Sequence, residues 1–423
     1  MIFVFLTSFA IFVICLKSIE KQDNRLFIIT SSVFFNIALI FFEQIYLETS
    51  LQRSFHFSDP SNYHEEIRHL SIEKLFDFIT DEEYKSNQFY YIINWLYYQS
   101  ITNSTILALT LKTTNLLIFY SAFILLTREQ RTNRSIDFVL LFHPYLTMTL
   151  IRNVRDAYII FFLSIFIYAM QSKKFSNSLK YASYVLSSLL MFTVRPFFTA
   201  IMVSLIAKNR LANKSKATII SILLLTSAII VVMFYFNLFN INTKIFSAIF
   251  STFSTHEGLD EERDEIVSEL MEGNSADIGF WISTVKRLMI GAPVFLFTPN
   301  PINYTLKFYQ EHTFGVWGIY TLVDNILIIL GSIVNYTIIY PILLKTIFNI
   351  KKTQIEFAIT AFIMFASYTI FQLGITDTRI KYTFLFFMLM SIRNKSTGLG
   401  VSVSNDKRYF IASMVLLVAF TIK

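Results

Sequence analysis

Three arginine-bearing junctions interrupt stretches of the chain that otherwise suit a bilayer. In TLIRNVRDAYIIFF, residues 149–162, Arg152 and Arg155 are three apart and share a face on one helix, while Asp156 is four from Arg152 and can pair with it. Such a pair orients the guanidinium without cancelling both positive charges. Arg195 precedes Pro196 in the uniformly apolar MFTVRPFFTA, and Asp377, Arg379 and Lys381 open a late apolar run. An arginine at the centre of a membrane helix costs about 2.5–3.5 kcal/mol on insertion scales, so such residues are paired, face a cavity, or are functional. Guanidinium binds phosphate oxygens in a bidentate fork and keeps its charge at any pH, so the cluster fits a lipid-linked phosphate or diphosphate. The competing account is that these are snorkelling anchors at the ends of short helices. It explains Lys381 easily. It explains less well why arginine dominates and why one helix end carries two.

A second set of polar groups precedes these. Asp59-Pro60-Ser61-Asn62 is a turn signal, and Tyr63, His64 and Glu65 follow it directly. Asp59 and His64 have the chemistry of a general base, and Tyr63, Glu65, Asp156 and Asp377 that of groups that bind sugar hydroxyls. Equally, the loop is a solvated cap over the helices. Within the apolar runs Glu43, Lys112, Asp137, His143 and Asp324 are weaker signals. A lone histidine such as His143 is more often hydrogen-bonded in a core than catalytic, and Lys112 with a carboxylate such as Asp324 reads equally well as a structural pair.

The elements that must position these groups are membrane helices. Of 423 residues 54% are hydrophobic and 46 are Phe, and windows of about 20 apolar residues recur, the length that a hydrocarbon core about 30 Å thick requires. The expected fold class is all-α, a single polytopic bundle over 1–423 of about twelve spans: 2–16, 26–47, 104–126, 136–151, 157–170, 181–194, 196–207, 217–239, 313–341, 354–375, 381–392 and 409–422. The first is read as a retained helix, not a cleaved signal. The stretch 288–300, rich in Gly and Pro, is too short for an ordinary span and reads as re-entrant or interfacial.

Charge gives the orientation. Six short loops hold twenty Lys and Arg against four acids, which makes them cytoplasmic by the positive-inside rule. The long polar segments 48–103 and 240–312 together carry 9 basic and 19 acidic residues and fall on the other side. They are the two extracytoplasmic loops, and all three arginine junctions lie on their side of the membrane. In the first loop Ile67, Leu70, Leu75, Phe78 and Ile79 recur at helical spacing, which predicts a short amphipathic surface helix. QFYYIINWLYYQ follows it with Tyr and Trp suited to the headgroup region. In the second loop HEGLDEERDEIVSELMEG predicts an acidic helix, a solvated face or a lid. The net charge of +7 is thus topological and does not point to nucleic acid.

Other chemistries lack their signatures. There is no nucleotide-binding Gly-rich loop, dinucleotide fingerprint, HExxH or GxSxG, and the histidines outside the apolar runs have no recognised metal spacing. One cysteine, Cys15, forms no intrachain disulfide. No metal or cofactor is expected.

The Phe-, Leu- and Ile-rich spans, the DPSNYHEE of the first outer loop, the RNVRDAYIIFFLSIF junction and the late DTRIKYTFLFFM resemble bacterial polysaccharide polymerases of the Wzy and EpsG type. The resemblance implies a glycosyltransferase of GT-C-like helical architecture in the bacterial cytoplasmic (inner) membrane. Such enzymes join undecaprenyl-diphosphate-linked oligosaccharide repeat units of O-antigen, lipopolysaccharide or capsule on the outer face, alongside flippase and chain-length regulator proteins. Where some members carry an Arg-rich late outer loop, 240–312 here is acidic, which moves the phosphate-binding role to the helix ends. Arg152, Arg155, Arg195, Arg379 and Lys381 would hold the diphosphate, Arg152 and Arg155 would stabilise its departure, and Asp59 or His64 would deprotonate the acceptor. A lipid-linked-sugar transferase or ligase would use similar arginines. A flippase or transporter would place polar residues along both leaflets, whereas here they gather at the outer ends.

Overall fold

The computed structural model describes residues 2–17, 25–55, 67–68, 70–80, 88–128, 133–152, 155–172, 175–195, 198–210, 291–302, 304–306, 322–347, 354–371, 378–393 and 407–419. Among them the chain is all-helical, as expected. In order the helices are α1 Ile2–Lys17, α2 Arg25–Leu51, α3 Ile72–Thr80, α4 Gln88–Tyr98, α5 Ser104–Thr127, α6 Arg134–Leu141, α7 Pro144–Ile151, α8 Asp156–Gln171, α9 Asn177–Val194 and α10 Thr199–Arg210. Then follow α11 Leu322–Val334, a π-helical turn Asn335–Ile339, α12 Tyr340–Ile347, α13 Ile355–Phe371, α14 Thr378–Arg393 and α15 Lys407–Ala419.

Among the described residues three helical segments are long and apolar enough to cross a membrane: Arg25–Leu51, Ser104–Thr127 and the combined Leu322–Lys345. The expected spans at 2–16, 157–170, 181–194, 196–207, 354–375, 381–392 and 409–422 each meet a helix shorter than these or less apolar, and 217–239 lies outside the described residues. The amphipathic helix expected after Ile67 forms as α3, with Leu75 buried and Phe76 exposed. The acidic helix of the second loop lies outside the described residues.

One expected span is corrected. Residues 136–151 do not form one helix but two, α6 and α7, separated at Phe142 and His143. Pro144 has no N–H to continue the ladder and holds the residue before it extended, and His143 accordingly sits at φ −66°, ψ 128°. The new N-terminus is capped locally: the Tyr145 N–H donates to His143 Nδ1 at 3.1 Å. With Nδ1 accepting, Nε2 carries the proton and donates to Asn335 Oδ1 at 3.1 Å. The break in one chain segment is therefore bonded to the π-helical turn in another.

α7 is the hub. It packs against α2, α5, α8, α11 and α14, and every residue from Tyr145 to Ile151 is buried. Thr147 donates to Asn36 Oδ1 at 2.8 Å, and Asn36 Nδ2 donates to the Tyr120 hydroxyl at 3.0 Å, which ties α2, α5 and α7 together. The Tyr145 hydroxyl bonds Ser332 at 2.7 Å, and Gly331 leaves room for the Tyr145 ring against α11. α5 tolerates its hydroxyls because Thr110, Thr113, Thr114, Ser121 and Thr127 each donate to a carbonyl one turn back. Without water to bond them, such groups are costly unless the helix satisfies them.

Candidate functional site

α7 ends and α8 begins at the arginine junction. Arg152 is the C-cap of α7, and its backbone N–H donates to Met148 O at 3.2 Å. Arg155 stands at the N-cap of α8, where its carbonyl receives Tyr158 N–H at 3.0 Å. Asp156 is the first residue of α8, a favourable place for a carboxylate because the helix N-terminus carries partial positive charge. All three side chains are enclosed: Arg152 is 2% exposed, Arg155 5% and Asp156 8%. Snorkelling carries a charged head out to headgroups and water. These heads are instead inside the protein.

The other junctions meet the same end of the bundle. α9 runs back along α8, so Arg195, the half-buried C-cap of α9, lies at the end where α8 starts. The Thr378 hydroxyl stands 2.9 Å from Met148 Sδ, which puts the start of α14 beside the last turn of α7. Arg379 is the second residue of α14, and its side chain lies outside the described residues. Asp59, Tyr63, His64, Glu65 and Asp377 also lie outside them.

Lys381 has a different setting from the arginines. Its ammonium donates to Leu296 O at 2.7 Å and to Thr298 O, stands 5.7 Å from the Tyr340 ring centroid, and is buried. Tyr336 donates to Phe297 O at 2.7 Å, and Tyr340 to Leu296 O. Together they close the carbonyl end of the helical stretch 291–297, whose last carbonyls have no partner within their own helix. This is the short piece read from sequence as re-entrant or interfacial. Its Phe295 is buried in the core, and Asn300 beyond it donates to Leu417 O at 3.1 Å.

The weaker intrahelical signals resolve into internal partners. Asp137 takes a bidentate bond from Arg393, at 2.6 Å and 2.9 Å, with both side chains fully buried. Lys112 donates to Gln44 Oε1 at 2.8 Å and lies in electrostatic reach of Glu43, Asp324 and Glu48. Each of the three long apolar segments thus contributes to one ionic cluster: α2 through Glu43, α5 through Lys112 and α11 through Asp324. Arg53, just beyond α2, joins it; burial lowers its guanidinium from the ordinary value, while Asp324 and Glu43 oppose that shift.

One group was not singled out from sequence. On α4, read as a headgroup-level aromatic segment, Tyr90, Asn94 and Tyr97 are buried against α8 and α5. Their spacing of four and three places them on one face, a signal that their aromatic neighbours obscured.

No family model, curated protein or solved structure matches the chain. The site must speak through its own geometry. Among the described residues no group of His, Cys, Asp and Glu is placed to hold a metal ion.

Proposed function

We propose that this protein is a membrane glycosyltransferase that polymerises undecaprenyl-diphosphate-linked oligosaccharide repeat units on the outer face of the bacterial cytoplasmic membrane. The observation that carries this reading is the burial of Arg152 and Arg155 at one end of the bundle, at the mouth of α8 and beside the starts and ends that carry Arg195 and Arg379. Fixed guanidinium groups in a poorly hydrated site stabilise charge as it develops on a departing diphosphate. In the proposed reaction the acceptor hydroxyl loses its proton to Asp59 or His64, and its oxygen bonds to the anomeric carbon. The bond from that carbon to the diphosphate oxygen breaks, that oxygen keeps the electron pair, and the arginines stabilise the negative charge that it gains. Direct displacement of this kind inverts the anomeric centre. The enclosed Asp137–Arg393 pair at the opposite end of α6 and α14 is a poor lining for a through-passage, which favours an enzyme over a transporter.

The test is made in cells. Arg152→Ala and Arg155→Ala proteins, present at wild-type levels and monodisperse in detergent, should leave single repeat units in place of long polymer. Removal of one such stabilising donor lowers rate on the order of 10²–10³-fold. Arg155→Lys, which keeps charge but not the fork, should retain part of the activity. Full-length polymer from both alanine proteins would sink the proposal, and unattached polymer would mark a ligase instead.

A further inference from the structure

The face that α4 turns to the bundle holds an amide that the described residues leave unsatisfied. Asn94 is 0% exposed, and neither its Oδ1 nor its Nδ2 has a hydrogen-bond partner among them. Both ends of the carboxamide are in that state. Buried polar groups in native structures are satisfied by protein, ordered water or ligand.

The surroundings of Asn94 identify what would satisfy it. Tyr90 lies one turn before it and Tyr97 one turn after, both buried on the same face. The Tyr97 hydroxyl bonds Thr114 on α5 at 2.7 Å, and the Tyr90 ring meets the Tyr158 ring of α8 edge-on at 5.8 Å. The Tyr158 phenol is in electrostatic reach of the phenols of both Tyr97 and Tyr90. Burial pushes the Tyr97 phenol up to about 12, so it is a neutral hydroxyl at any physiological pH. Asn94 therefore stands among uncharged phenols and aromatic edges, with one donor group and one acceptor to offer. That is a poor setting for an ion and a good one for a pyranose, whose hydroxyl or acetamido groups offer adjacent donors and acceptors and whose C–H faces pack on aromatic rings.

Position completes the argument. Tyr158 is one turn into α8 from Arg155, so this polar wedge lies next to the arginine junction. The geometry points to Asn94, Tyr97 and Tyr158 as the subsite for the sugar ring borne directly by the lipid diphosphate; this rests on the proposed function, since the arginines must hold that diphosphate.

Asn94→Leu separates the roles, because replacing an amide that has no side-chain hydrogen bond among the described residues with an apolar group of similar size removes none of the described contacts. Tyr158→Phe removes one hydroxyl and serves if the first variant misfolds. The probes are short-chain polyprenyl diphosphates bearing glucose, galactose or their 2-acetamido forms, and the same lipid without sugar, titrated into the purified full-length protein in detergent. The wild type should bind at least one glycosylated lipid tenfold or more tighter than the bare lipid. Asn94→Leu should bind both alike, with a melting temperature equal to or above that of the wild type. If the variants keep the wild-type preference, or the wild type shows none while binding the bare lipid, the subsite is overturned and the diphosphate reading stands. If the wild type binds neither lipid, both fall.

Discussion

Asp137 and Arg393 are 256 residues apart, fully buried, and joined by two hydrogen bonds. Removing one partner of such a pair strands a charge in a low-dielectric interior, whereas replacing both with apolar groups does not. Arg393→Met should therefore lower stability by about 3–5 kcal/mol, and Asp137→Leu added to it should recover most of the loss, as read from thermal unfolding in detergent. Lys381 gives a different test. Its ammonium caps backbone carbonyls at Leu296 and Thr298, so Lys381→Met should cost about 1–3 kcal/mol of stability while the folded protein keeps its affinity for lipid diphosphate. A selective loss of that affinity at unchanged stability would return Lys381 to the anion site. Sequence showed that both residues were charged and near helix ends. It did not show which partners they meet, because those partners lie far along the chain.

At the scale of elements, the junction at Arg152 depends on where α7 is held. Asn36 and Ser332 bond that helix from two sides, Tyr120 holds Asn36 in place, and the close approach of α11 requires a residue without a side chain at Gly331. A Cβ there would stand 2.3 Å from two ring carbons of Tyr145, whose ring is buried and whose hydroxyl is engaged by Ser332. Gly331→Ala should thus destabilise by about 1–3 kcal/mol, the usual penalty for overpacking. Because the strain moves α7, polymer length should fall as well; unfolding curves and gel analysis of surface polysaccharide give the two readouts. The break between α6 and α7 was legible in hindsight at Pro144, but the apolar run through it reads as one span. Hydropathy averages over a window and does not register one missing N–H.

For the molecule as a whole, orientation is the property on which the function turns. The proposed topology, read from the loop charges, puts the Gln99 end outside and the Ser178 end inside the cell. In a Cys15→Ser background, Gln99→Cys should react with a membrane-impermeant maleimide added to intact cells, and Ser178→Cys only after permeabilisation. Both positions are exposed, so access depends on the side of the membrane and not on burial. The reverse pattern would move the arginine end to the cytoplasm, where lipid-linked units are not polymerised in the proposed scheme.

What the sequence by itself determined was local: an all-helical chain with apolar stretches of membrane length, most of the helix ends, and arginines at those ends. Helix formation and hydropathy depend on residues within a few turns of one another, so they can be read along the chain. What only the tertiary structure decided was the fate of each polar group. Arg152 and Arg155 are enclosed instead of wet, Lys381 caps a distant helix, Lys112 meets charges from two other spans, and Asn94 waits among phenols. A polar side chain inside an apolar bundle must find its partner through space, and the packing of remote helices, not the neighbouring sequence, settles which partner that is.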